Sequence, residues 1–192
     1  MEEYAIILDY LPTGHPEDKR PIYKREPIAQ AVGESFFSLL ELVPKKGVTL
    51  TSQERVYLGK ENRDKIDFIK RRIPYEVLTP GARTELTAAI ESIVERNEKK
   101  FVDFFNESGP ISVRFHQLEL LPGIGNRLMW EILEERKKKP FESFADISKR
   151  IKALPHPEEL IVRRIEMELS GEKQVGKGKY KLFTAPVKSD RR

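Results

Sequence analysis

Apolar residues in the first sixty positions come in short runs broken by turn residues. YAIILDYL (residues 4–11), PIAQAV (27–32), FFSLLELV (36–43) and ERVYLG (54–59) each read as a strand. Gly14 with Pro16, then Gly33, then Lys45-Lys46-Gly47 separate them, a spacing that predicts antiparallel hairpins or a small barrel. After Asn62 the period changes to three and four, with Ile66, Ile69 and Ile73 over residues 64–72, followed by a short extended PYEVL. A helix is predicted to start at Thr79-Pro80, where Thr79 caps and Pro80 occupies the first turn. Leu86, Ala89, Ile90, Ile93, Val94 and Phe101 carry it past residue 100, and Gly109-Pro110 ends it at a domain boundary.

The most informative stretch is Leu121-Pro122-Gly123-Ile124-Gly125, a tight turn expected between two helical segments. Its glycines let the backbone take positive dihedral angles or approach another group closely, and Ile124 between them can point into the core. A strong helix follows over residues 127–138, with Leu128, Ile132 and Leu133 on one face. The first amides of such a helix point outward from its positive end, which suits an anion. These residues, with Arg127 and the downstream PFESFADI, resemble a helix-hairpin-helix element. The resemblance implies binding of DNA or RNA backbones without base reading, at Pro122, Gly123, Ile124, Gly125, Asn126 and Arg127. Leu154-Pro155 and the helix after it resemble a second copy, in which His156 and Glu158 stand for the glycines. A carboxylate at that mouth argues against equal phosphate binding.

Taken whole, the strand-rich front and paired hairpins resemble an uncharacterised archaeal family described as nucleic-acid-binding. The fold this implies is α+β: an OB-like β-barrel with helical elaboration over 1–108, then an all-α paired helix-hairpin-helix domain over 109–169. Residues 170–192 form a basic flexible tail. Barrels of that kind bind single strands through aromatic platforms and a basic groove. Tyr23, Phe36, Phe37 and Tyr57 with Lys24, Lys45, Lys46, Arg55 and Lys60 are the candidates. Adjacent Phe36 and Phe37 point to opposite faces of a strand, so one of them belongs to the core.

Charge sharpens this picture. The net charge is +4, yet from Ser170 onward seven basic residues face two acids, so the tail carries +5 and the remainder −1. Lys177 and Lys179 in that tail are counted as phosphate contacts, and the tail is expected to order only on a partner. Zero cysteines exclude disulfides and thiolate chemistry, and no apolar run spans a bilayer, so a cytoplasmic protein without membrane contact is expected.

Enzyme readings are weaker. Residues 171–178 match a phosphate-binding loop up to Lys177, but Gly178 stands where magnesium needs Ser or Thr. Asp146 follows the hairpin at a distance that suits glycosylase chemistry, yet it falls in a connecting helix and serves a helix start better. His15, His116 and His156 are scattered, so no metal site and no cofactor are expected. A monovalent cation near Leu121 and Ile124 is implied by the resemblance alone. Lone Trp130 is expected to pack between the hairpins. The expected function is non-catalytic binding of a nucleic-acid backbone, RNA slightly preferred over DNA. The rival is a protein-interaction adaptor docking ribosomal or transcription proteins.

Overall fold

The alternation of residues 4–11 is realised as β1 (Tyr4–Leu11), joined by β2 (Ile28–Gly33), β3 (Leu39–Pro44), β4 (Arg55–Tyr57) and β5 (Ile66–Arg72). The computed structural model describes residues 2–172 and 180–184. By contact, the chain divides into a unit running to Ile90 that includes Phe183 and Thr184, and a unit Glu91–Leu182. In the first unit the strand order is β4-β1-β2-β3-β5, and every neighbouring pair is antiparallel. Three meandering strands with the fourth returned beside the first make a Greek key. β5 extends it on the β3 side, giving a curled half-barrel. Ala5, Ile7, Ala31, Leu40, Leu42 and Ile66 fill its concave side.

The other face of β2 is tied to a helix start. Buried Gln30 donates to the Val77 carbonyl at 3.0 Å and accepts from the Thr79 amide at 2.8 Å. A bulge in β1 skips Leu8 in the pairing, so Asp9 falls opposite Gln30. Asp9 accepts the Thr79 hydroxyl at 2.5 Å, and Thr79 Oγ1 accepts the Ala82 amide at 3.0 Å, the predicted cap. Helix α1 (Pro80–Arg96) begins there.

Four local expectations change. The stretch with Ile66 and Ile69 is strand, because bulges leave Asp67 and Lys70 out of the β3–β5 pairing. Each extra residue shifts the alternation by one, so Ile66 and Ile69, three apart, both face the core. PYEVL forms a 3-10 turn at Tyr75–Val77 instead of an extended segment. The long helix breaks at Asn97, whose φ of −110° and ψ of 30° leave helical space, so α2 (Glu98–Glu107) is separate from α1. Phe36 and Phe37 lie in the β2–β3 connection, Phe37 fully buried with φ at +51° and Phe36 44% exposed.

That connection is organised by Glu2, 3% exposed, whose carboxylate accepts the amides of Ser35 at 2.8 Å, Phe36 at 3.1 Å and Ser38 at 3.1 Å. Gly33 leaves it room: a Cβ there would lie 2.1 Å from Glu2 Cδ.

The second unit is not all-α. A small hairpin, β6 (Pro110–Ser112) with β7 (Phe115–His116), precedes a 3-10 turn at Gln117–Leu120. Then come α3 (Asn126–Lys138), α4 (Phe144–Arg150) and α5 (Pro157–Ser170). Two arginines close helix ends by donating to carbonyls there. Arg136 donates to the carbonyls of Phe105 at 3.0 Å and Ser108 at 2.9 Å after α2. Arg150 donates to Lys139 at 2.8 Å and to Glu135 at the end of α3.

Candidate nucleic-acid interface

The hairpin turn is built from its buried residues outward. Leu121 and Ile124 are 1% and 2% exposed, and the Ile124 amide donates to the Leu121 carbonyl at 3.2 Å. Between them Gly123 takes φ +87°, the left-handed region that favours glycine. Pro122 keeps Leu121 extended, at φ −70° and ψ 133°, which limits the leading helix to one 3-10 turn where a full helical segment was expected. Gly125 is the N-cap of α3 at φ −93°, a conformation open to any residue, with no side-chain cap. Its contribution is bare space, since an added Cβ would meet nothing within 4 Å.

Above this turn the amides of Gly125, Asn126, Arg127 and Leu128 meet no acceptor among the described residues, and the first helical bond runs from Met129 to Gly125 at 2.9 Å. Gly125, Asn126 and Arg127 are exposed. The turn is therefore an exposed donor surface with the Arg127 cation beside it, suited to one tetrahedral anion. α5 holds it in place: Arg164 donates to the Leu120 carbonyl at 3.1 Å, and Leu160 lies 4.0 Å from where a Gly123 Cβ would be. The Leu121 carbonyl already serves Ile124, so one lone pair is left there for a cation.

The second turn differs as the sequence suggests. His156 caps α5 without a side-chain bond, Pro157 supplies no N–H, and Glu158 and Glu159 occupy the first turn. Its donors are fewer and its charge is wrong for phosphate.

In the first unit the candidates are dispersed. Tyr23, 83% exposed, and Lys24 sit on a 3-10 turn in the connection leaving the end of β1, the ammonium 5.9 Å from the ring. Lys45 and Lys46 belong to a solvated turn closed by Gly47 at φ +80°. Tyr57 lies opposite Tyr4 at the start of β1, the two rings edge-on at 5.2 Å. Arg55 forks onto Glu34 at 2.7 and 2.9 Å through Nε and Nη2 and stacks 3.5 Å from the Tyr4 ring. Tyr4, Arg55 and Tyr57 line a cleft of about 420 Å³ with Asn62, Asp64 and Lys65. Lys177 and Lys179 lie outside the described residues.

The profile of the family described as "Protein of unknown function (DUF655)" matches residues 1–185. The chain belongs to this family. The DUF655 chain is 49% identical over 183 residues to the uncharacterized protein MJ0038 of Methanocaldococcus jannaschii, covering 95% of this chain and 80% of that relative. It is similar to the crystal structure of Af1531 from Archaeoglobus fulgidus, at 55% identity and a TM-score of 0.86, covering 96% of this chain and all of that one.

Other sites in the DUF655 chain find structural employment. Asp146 accepts the Glu142 amide at 3.2 Å and pairs with Arg150 at 3.3 Å, while Ser143 caps α4 by accepting the Asp146 amide. Gly171, at φ +72°, closes α5, so it ends a helix. Tyr180 and Leu182 are fastened to α5, their carbonyl and amide taken by Arg164 and Glu168, where chain free until bound was expected. No group of three or more acidic, His or Cys residues suits a metal among the described residues, nor is any helix there long and apolar enough to cross a membrane. Trp130 does not pack between the hairpins but is 54% exposed. The helical period carries this signal: Trp130 stands about 200° around the helix from buried Ile132.

His116 starts the 3-10 turn, its Nδ1 accepting the Leu118 amide at 3.1 Å. Burial, then the charge of Arg136, holds its imidazole pKa below the usual value. The folded unit thus prefers neutral His116, while the unfolded chain takes up a proton near pH 6.5. The stability it supplies is complete above that pH and is lost as pH falls through the depressed folded value. Melting followed by Trp130 fluorescence should show a drop between pH 7.5 and 5, smaller in His116→Asn, which keeps an acceptor but does not titrate. Equal pH slopes in both proteins would refute this.

Proposed function

We propose that this protein binds nucleic-acid backbones without catalysis, RNA before DNA, by seating a phosphate at the helix-hairpin-helix-like turn Gly123–Arg127. The observation that carries this reading is the run of acceptor-free amides from Gly125 to Leu128, the first three on exposed residues, with Arg127 beside it and open space above Gly125. Contacts of this kind fix register and give salt-dependent affinity without sequence information. The Greek-key half-barrel supports an OB-like reading of the first unit, with exposed Tyr23 and Lys24 as its contacts.

Gly125→Asp with Arg127→Glu tests the phosphate seat cleanly. Aspartate is a better N-cap than glycine and fits at φ −93°, so the fold should gain a few tenths of a kcal/mol. Its carboxylate nevertheless takes the donors a phosphate needs. Titration with fluorescein-labelled total RNA should show at least tenfold weaker binding with melting unchanged or raised. Wild-type log affinity should fall linearly with log salt. Unchanged affinity in the double variant, or a flat salt response, would overturn the reading and favour a protein-docking role.

A further inference from the structure

We propose that the ligand of this turn is a nucleic acid with unpaired bases, and that Trp130 is the platform on which one base stacks; this rests on the phosphate reading above. Trp130 is the sole tryptophan, 54% exposed, and its indole N–H has no hydrogen-bond partner among the described residues. A large aromatic held in water on a rigid helix is the feature of α3 that its packing does not explain. Met129 and Ile132 already supply the buried face of that helix.

Position decides what would cover it. Asn126 and Arg127 are four and three residues before Trp130, hence its neighbours on the exposed side. Helical side chains lean toward the N-terminus, so the indole leans along the exposed side of α3 toward its first turn and leaves the amides of the turn open. In the other direction Glu134 is paired with Lys137 at 2.7 Å and offers no net attraction. Trp130 stands about 6 Å along the axis from Asn126, a separation one nucleotide can bridge. A phosphate on the amides therefore delivers its own or the adjacent base to the indole face. Duplex nucleic acid cannot use this surface, because its bases are paired and stacked away from the backbone. Every base has a π-face, so the platform adds affinity without demanding a sequence.

The sole tryptophan reports its own contact. The intact protein is titrated with a 12-mer oligoadenylate RNA, and with the same strand annealed to its complement, following Trp130 emission and, separately, anisotropy of a 5′ fluorescein. The single strand should quench Trp130 and bind more tightly than the duplex. Trp130→Ala, on an exposed position, should weaken single-strand binding about 5- to 100-fold, leave duplex binding unchanged and spare melting, while Trp130→Phe retains most of the affinity. Single-strand binding that leaves Trp130 emission and the Trp130→Ala affinity unchanged, yet is lost in Gly125→Asp with Arg127→Glu, overturns the stacking inference and leaves the phosphate seat standing. Binding that survives that double variant overturns the phosphate reading instead.

Discussion

Arg164→Met is expected to destabilise the Glu91–Leu182 unit by about 3–5 kcal/mol, read as an early melt of Trp130 fluorescence. Arg164 and Glu168 face each other one helical turn apart at 2.8 Å, both side chains 3% exposed. The arginine also donates to the carbonyls of Leu120 and Tyr180, and Glu168 accepts the Leu182 amide at 2.6 Å. Removing the guanidinium takes the opposite charge away from a carboxylate only 3% exposed, and that desolvated charge dominates the loss. Arg164→Met with Glu168→Leu should therefore be more stable than the single variant, although it still orphans Leu120 and Leu182. Equal melting of the single and double variants would show that the buried charge of Glu168 is not what costs. The pair also sets the height of the Leu121–Gly125 turn against α5, so the single variant should loosen the amide surface even where the unit stays folded.

The second large effect is expected from Glu2→Ala, on the order of 3 kcal/mol for the first unit, because three amides lose a charged acceptor in a partly buried connection. Gly33→Ala should reach a similar loss by another route, since its Cβ would collide with the Glu2 carboxylate. The two changes should not add: with the Glu2 side chain gone, the collision disappears. Hydrogen exchange at the Ser35, Phe36 and Ser38 amides reads this locally, and additive losses would count against the shared cause.

Strand signals at Tyr4–Leu11 and Leu39–Pro44 were legible because neither local chemistry nor tertiary context opposes them. Glu2 was not legible, because an acid beside the start reads as solvated and its three partners lie more than thirty residues away. Ile66 and Ile69 mimicked a helix because bulges turn a period of two into a period of three, and bulges depend on the partner strand. At the candidate site the glycines carried the turn, and their different duties emerged only from dihedral angles, positive at Gly123 and ordinary at Gly125. Trp130 was misread by giving weight to residue type over helical phase. The Arg55–Glu34 pair was not legible, because Glu34 arrives from another strand's end.

The bulges of β5 also bear on self-association. β5 is an edge of the sheet, and a straight edge offers a ladder to any other exposed strand, including one from a second copy. Two bulges within seven residues interrupt that ladder, and Lys70, Arg71 and Arg72 line up along the interrupted stretch. β4, at the opposite edge, has only three residues. The irregularity that hides β5 from sequence reading thus guards an open half-barrel against growing into a larger sheet.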